Sequence, residues 1–398
     1  NGILHAFEAS NGEELWGYIP PNVLGNLEKI PSSKANSTNA IYGVDGSPVI
    51  KDIFFDDTPN DGSTNPRWRT ILLGALGAGG HGLYALDVTD PDNPTHLFAI
   101  NHDGTQQVVQ HWDIDGNKNE FGYRSGNIDP QYDYRKLGET WSTPRIIRIK
   151  VSGKDKWVAV FGGGYNGAVN PNYGSAVFII DLEDQGRLLK VIDIEDQANV
   201  IHNYVFGTVS NNTQTEFNLA NYGLTSYDIS CCTLKVYGAG SIRYSITGDQ
   251  NGNTMNNLKL RFDEAPPGGI TLMVSKVNKT DIVNSIPADL SVITADGTNK
   301  ANYNGAMVYA TDLEGKVTKI NLTDKGTLYE TTTLFNSQST SDNGRYIYTR
   351  PEVTINNDSN LWLYFGTGNT QKLQEQSNQI QNRLYGIKDV NFPNFVKL

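Results

Sequence analysis

The sequence predicts an all-β fold of repeated four-stranded sheets: a β-propeller of about seven blades, some degenerate, with a small β-rich insertion. Forty Gly and sixteen Pro stand beside twenty Tyr and fourteen Phe in 398 residues. That mixture favours short strands joined by tight turns and leaves long helices scarce, because Gly supplies turn dihedrals and aromatic rings suit a pleated surface. The second observation is a set of extended runs that recur in a fixed order. The third is the glycine cluster that closes one run in each set.

Residues 4–16, Leu4-His5-Ala6-Phe7-Glu8-Ala9-Ser10-Asn11-Gly12-Glu13-Glu14-Leu15-Trp16, read as strand, glycine turn and strand, the last two pieces of a blade. The first recurring piece opens on a small residue and Pro: Gly46-Ser47-Pro48-Val49-Ile50, Ser142-Thr143-Pro144-Arg145-Ile146-Ile147 and Tyr348-Thr349-Arg350-Pro351-Glu352-Val353. Pro is tolerated where a strand begins. The second is an apolar run ending in glycines: Trp68 to Leu73 before Gly74, Lys156 to Phe161 before Gly162, and Leu361 to Phe365 before Gly366. The third alternates and turns, at 82–87, 176–181, 316–321 and 383–388, and a fourth run follows at 96–100, 188–194 and 328–334. Four strands that cannot bury their faces alone stack beside the next four around an axis.

Between Asn199 and Asn302 the pattern breaks. Leu234/Val236, Ile242/Tyr244/Ile246, Leu258/Leu260/Phe262 and Ile270/Leu272/Val274 alternate with mostly polar neighbours, and Pro266-Pro267-Gly268-Gly269 divides the last two groups. This reads as a β module inserted into a blade. The expected organisation is therefore 1–198 propeller, 199–302 insertion and 303–398 propeller.

Thirty-two basic residues against 43 acidic ones give a net charge of -11 and a pI near 5.0. That is the wrong sign for displacing counterions from phosphates, so no nucleic-acid partner is expected. No run approaches the roughly 18 apolar residues of a membrane span. The opening Asn1-Gly2-Ile3-Leu4-His5 lacks Met, is no signal peptide and lies inside what reads as a strand, as expected of a piece of a longer protein.

Residues 2–20, Val44-Asp45-Gly46-Ser47-Pro48-Val49 and 68–89 with their Leu76-Gly77-Ala78-Gly79-Gly80-His81-Gly82 run closely resemble the C-terminal propeller of the PilC/PilY family of type IV pilus-associated adhesins. Val308-Tyr309-Ala310-Thr311-Asp312-Leu313-Glu314-Gly315-Lys316-Val317 is similar to a later blade of that family. The resemblance implies a modified, quinoprotein-like propeller at the bacterial surface, pilus tip or outer membrane. It further implies a non-enzymatic, calcium-regulated role in pilus biogenesis, extension, twitching motility and host-cell attachment, with pilus components such as minor pilins and a host-cell receptor as partners. Family members often carry an Asp-rich calcium loop before the Tyr-Ala-x-Asp-Leu strand. The matching stretch here, residues 295–304, holds one carboxylate and a Lys and departs from that pattern.

Another segment has the right donors. In Asp113-Ile114-Asp115-Gly116-Asn117-Lys118-Asn119-Glu120, side-chain oxygens at alternate positions and a glycine for sharp curvature suit Ca²⁺, which takes six to eight oxygen ligands. Asp113, Asp115, Asn117, Asn119 and Glu120 are the expected ligands. The twelfth position of this loop is Arg124, so Glu120 or a distant carboxylate such as Asp129 must complete the shell, and an ordinary polar turn is the competing reading. The loop 56–62 is a weaker candidate. The only cysteines, Cys231 and Cys232, are neighbours. They form a vicinal disulfide, remain two thiols or pair outside the chain; an extracellular setting favours the vicinal bridge.

Gly77-Ala78-Gly79-Gly80-His81-Gly82 satisfies G-x-G-x-x-G, yet the residues after it read as a strand where a dinucleotide site needs a helix. It is expected to be a blade turn. The six His show neither zinc-helix nor catalytic spacing, and Gly43-Val44-Asp45-Gly46-Ser47 is no nucleophile elbow. The alternatives to a pilus adhesin are a pyrroloquinoline quinone dehydrogenase, which combines a related propeller with Ca²⁺, and a purely structural pilus-assembly platform.

Overall fold

Strands form where the alternating and continuous apolar runs stand. The computed structural model describes residues 2–27, 41–55, 67–124, 127–165, 173–195, 200–209, 212–219, 232–237, 242–247, 259–278, 284–297, 299, 301–337, 339, 343–370 and 382–398. The chain divides into two compact units, Asn1–Glu195 with Val283–Leu398, and Asp196–Ile282. Residues 283–302, read from sequence as the end of the insertion, thus group with the first unit. Among the described residues no helix is long and apolar enough to cross a membrane.

Among the described residues the first unit holds five antiparallel sheets in chain order. The first pairs β1 (Leu4–Phe7) with β2 (Glu14–Tyr18). The second runs β3 (Val49–Phe55), β4 (Arg67–Ala75), β5 (Gly82–Asp87), β6 (Thr95–Asp103), β7 (Val108–Trp112) and β8 (Lys118–Gly122), each strand pairing with the next. The third comprises β9 (Arg145–Val151), β10 (Lys154–Gly162), β11 (Ala176–Asp181) and β12 (Arg187–Asp193). After the second unit come β19 (Ser291–Thr294), β20 (Gly305–Thr311), β21 (Lys316–Thr323) and β22 (Thr331–Asn336), and then β23 (Glu352–Ile355), β24 (Leu361–Gly366) and β25 (Leu384–Asp389).

The two-residue period of a strand lets one sheet feed two cores. In the third sheet Ala159, Phe161, Ala176, Phe178 and Ile180 pack with Ile71, Leu73 and Phe98 of the second. The intervening Val158, Val160, Val177 and Ile179 pack instead with Ala306, Val308 and Ile320 of the fourth. Met307 and Tyr309, on the other face of β20, join Leu361, Leu363 and Phe365 of the fifth. Leu4, Trp16 and Tyr18 of the first sheet pack on Leu72, Tyr84 and Leu86 of the second. Each fully buried large side chain contributes about 1.5–3 kcal/mol, and the sheets follow one another in chain order, though only the third and fourth have the four strands that the repeats predict.

Glycine turns join neighbouring sheets along a backbone seam, with isolated bridges at Gly77↔Thr140, Glu139↔Tyr165 and Gly164↔Ile286. Gly77 donates to the carbonyl of Thr140 at 3.1 Å, Gly138 to that of Gly163 at 2.8 Å, and Gly164 to that of Ile286 at 3.0 Å. Such contact leaves no space for a side chain: a Cβ on Gly164, whose φ is +82°, would lie 1.7 Å from the Glu139 carbonyl oxygen. The G-x-G-x-x-G run is part of this seam and is followed by β5, a strand.

Among its described residues the second unit has two three-stranded sheets. One orders β13 (Val200–Val209), β18 (Ile270–Asn278) and β15 (Cys232–Tyr237), and the other β14 (Glu216–Asn218), β17 (Lys259–Phe262) and β16 (Tyr244–Thr247). Phe217, Leu260 and Phe262 are buried there, and the two rings meet edge to face at 5.9 Å. Cys231, half of the expected vicinal bridge, and the loop 56–62 lie outside the described residues. On either side of this unit, the first unit's backbone is pinned at adjoining points. Ile194 N–H donates to the Ser175 carbonyl at 3.0 Å and Ile286 N–H to that of Gly174 at 2.9 Å.

Candidate functional site

The second sheet carries two strands beyond the four of a blade. The hairpin β7–β8 runs in register from Val108↔Gly122 to Trp112↔Lys118, and a cleft opens near each of its ends. The expected calcium ligands are on this hairpin, and the structure separates them. Asp113, Asp115 and Asn117 share its tight turn, where Gly116 takes φ +79°. Asp113 N–H donates to the Asn117 carbonyl at 3.1 Å, and Gly116 N–H to that of Asp113 at 2.9 Å. The Asp113 carboxylate accepts from the backbone of Asp115 at 3.1 Å, the backbone of Asn117 at 2.8 Å and the Asn117 amide at 3.3 Å.

Asn119 and Glu120 lie further along β8, opposite His111 and Gln110. Glu120 accepts from Gln110 at 3.0 Å and pairs with Lys118 at 2.9 Å. The Lys118 and Gln110 hydrogen bonds hold its carboxyl below the usual range. Asp129 accepts from Gln131 N–H within its own short helical turn. Among the described residues no three His, Cys, Asp or Glu gather as a group able to hold a metal. The turn thus offers a cation three oxygen-bearing side chains, of which Asp113 is already engaged. Asp115 lines a cavity of about 460 Å³ shared with Arg67 and Arg69, whose positive charge competes with a cation there. Arg69, 3% exposed, pairs with Asp87 at 3.1 Å.

The other cleft, of about 470 Å³, lies where the β6–β7 turn and the residue after β8 approach β12 and the connector before β9; Tyr123, Tyr173, Asp133, Arg135, Lys136 and Asp193 are among its lining residues. Behind it His102 is 2% exposed. Burial brings its pKa down to about 4, so the ring is neutral near pH 7. Its Nδ1 lies 2.8 Å from the Leu137 carbonyl, which can only accept, so Nδ1 carries the proton and Nε2 accepts from the Tyr123 hydroxyl at 2.8 Å. Burial pushes Tyr123 up to about 12, keeping that hydroxyl protonated. Tyr123 is also hydrogen-bonded to Tyr173, whose ring meets His102 edge to face at 5.0 Å.

Arg135 clamps Asp133 through Nε and Nη2, both at 2.7 Å, and its guanidinium lies 5.7 Å from the centre of the Tyr123 ring. Lys136 pairs with Asp193 at 3.1 Å and Glu195 at 2.9 Å. Reading single residues missed this set. The alternation Asp133-Tyr134-Arg135-Lys136 between Pro130 and Gly138 was its one sequence signal.

A model of the PilY1 beta-propeller domain matches residues 1–214, more than half of the chain. The chain belongs to this PilY1 propeller family. Type IV pilus biogenesis factor PilY1 of Pseudomonas aeruginosa is 32% identical over 190 residues, covering 48% of this chain and 12% of the relative. A PilY1 homolog of Xylella fastidiosa is 28% identical over 191 residues, 48% of this chain and 10% of the relative. The matched part is thus about a tenth of the length of these PilY1 relatives. The crystal structure of the P. aeruginosa PilY1 C-terminal domain aligns with 98% of this chain and 55% of its own at 19% identity and a TM-score of 0.46.

Proposed function

We propose that this chain is a non-enzymatic, surface-displayed domain of a type IV pilus biogenesis protein, acting at the pilus tip or outer membrane in pilus extension, twitching motility and host-cell attachment. The family match over residues 1–214 carries the reading, and its relatives bear the name of pilus biogenesis factors. The sheets serve as a scaffold of about seven blades that presents loops and the inserted unit to pilus components, including minor pilins, and to a host receptor. Deleting all 398 residues from the full-length gene is expected to lower the number of surface pili and shorten twitching zones; unchanged pili and motility would overturn the reading. Deleting only 196–282 is expected to leave pili intact and reduce attachment, and undiminished attachment would move adhesion elsewhere. A quinone absorbance band or dye-linked alcohol oxidation by the purified chain would favour the dehydrogenase instead.

The regulatory part of the reading is a weak calcium site at Asp113, Asp115 and Asn117, with water completing the shell. Repulsion between carboxylates in one turn is what a divalent ion relieves. Calcium is expected to raise the melting temperature of the parent, and Asp113→Ala with Asp115→Ala to abolish that rise. A parent whose melting ignores calcium removes the site.

A further inference from the structure

The cleft beside Tyr123 and Tyr173 has a charge balance that narrows its ligand. Its lining contains two cations and two carboxylates, and each cation is already held: Arg135 by Asp133 at 2.7 Å, and Lys136 by Asp193 at 3.1 Å and by Glu195, beside the cleft, at 2.9 Å. An anion entering here must compete with Asp133 for Arg135, and a cation must compete with Lys136 for Asp193. Neither gains an uncompensated partner. An uncharged molecule bearing both donors and acceptors can bond to the outer lone pairs and N–H groups of these pairs without breaking them.

The lining supplies what such a molecule needs. Guanidinium and ammonium donors, carboxylate acceptors and two aromatic rings all line it. Tyr123 gives its proton to His102, so its oxygen accepts from the Tyr173 hydroxyl and the Tyr173 oxygen is left to accept from a ligand. Tyr173 is fixed from behind by edge-to-face contacts with His102 at 5.0 Å and His81 at 5.9 Å. Gly104 faces it so closely that a Cβ there would sit 2.3 Å from the Tyr173 hydroxyl. The Gln107 backbone at the rim takes φ +57°, and its carbonyl accepts from Tyr123 N–H at 3.0 Å. The aromatic groups are therefore set before any ligand arrives, and preorganisation lowers the entropic cost of binding. At about 470 Å³ the cleft falls within the roughly 300–1,000 Å³ of small-molecule sites.

We infer that this cleft binds an uncharged glycan, one or two sugar rings long, with hydroxyls shared between the Asp133–Arg135 and Lys136–Asp193 pairs and a C–H face against a tyrosine ring. A sugar combines an apolar face with a rim of hydroxyls that each donate and accept, which is the complement of this lining. The inference rests on the cleft alone and goes beyond the pilus reading; it stands if that reading falls.

The purified chain is to be applied to an array of neutral and sialylated oligosaccharides, and N-acetyllactosamine and its sialylated form then titrated by saturation-transfer NMR. Binding of neutral glycans is expected, weakened at least tenfold by Asp133→Asn and severalfold by Tyr173→Phe. Gly122→Ala, at a glycine with nothing within 4 Å of its added carbon, is expected to bind as the parent does. Tyr173→Phe removes one oxygen and keeps the ring, so it reports on the site even if Asp133→Asn disturbs folding. Absence of neutral-glycan binding, preference for the sialylated form, or equal binding by both variants would each overturn the inference. Surface pilus counts do not enter this assay, so its failure and that of the pilus reading are separate results.

Discussion

Two buried titrating groups pull the stability of this chain in opposite directions below neutral pH. His102 has an ordinary value of 6.5 and a folded value of about 4, caused by burial. Between these the unfolded chain takes the proton and the folded chain does not, so stability is lost as pH falls from 6.5 toward 4, by about 3 kcal/mol in all. Asp312 shifts upward, from 3.8 to about 6, because burial outweighs Lys316 beside it. There the folded chain takes the proton first, and stability is gained as pH falls from 6 toward 3.8. Urea unfolding across pH 7 to 4.5 is expected to show His102→Gln losing less stability on acidification than the parent, and Asp312→Asn losing more. Of these two, neither was legible in the sequence, since a histidine with no metal or catalytic spacing carries no sign of its burial. Asp113 was legible as a turn residue, because Asp-x-x-Gly states the turn locally. That Glu120 belongs to a strand rung with Gln110 was not, because pairing partners are set by the hairpin and not by the spacing of carboxylates.

At the level of elements, the seam between sheets depends on missing side chains. Gly164 combines φ +82° with a Cβ position 1.7 Å from a carbonyl oxygen, whereas Gly122 in β8 has an ordinary φ and open space. Gly164→Ala is expected to cost about 3 kcal/mol or more through strain and loss of seam bonds, while Gly122→Ala stays within about 1 kcal/mol. Thermal and urea unfolding of the two variants measure the contrast; equal stability would mean that the seam yields. The repeats located buried strands and also, at β25, one exposed at alternate positions. Residues 82–87 and 176–181 became β5 and β11 with the same limits, because continuous apolar runs between glycines have few other ways to satisfy their backbone. The hairpin β7–β8 was not foreseen: Lys118 to Gly122 is mostly exposed, and its polar composition reads equally as a loop. β19 reads as part of the insertion for a related reason, since four residues of Ser-Val-Ile-Thr are too few to show which sheet they will join.

For the whole molecule, the second unit interrupts the first at one place. The backbone before it is fixed to Ser175 and the backbone after it to Gly174, residues about 3.8 Å apart at their Cα atoms. Four Gly-Ser residues, reaching up to about 13 Å, are expected to replace 196–282 and leave a first unit that unfolds in one transition within a few degrees of the parent; a molten or insoluble product would show that the sheets need the module. Because departure and return share a single doorway in the chain, the interrupting part is expected to behave as a cartridge, exchangeable for another of different length or chemistry. The receiving frame can stay constant while its cargo drifts.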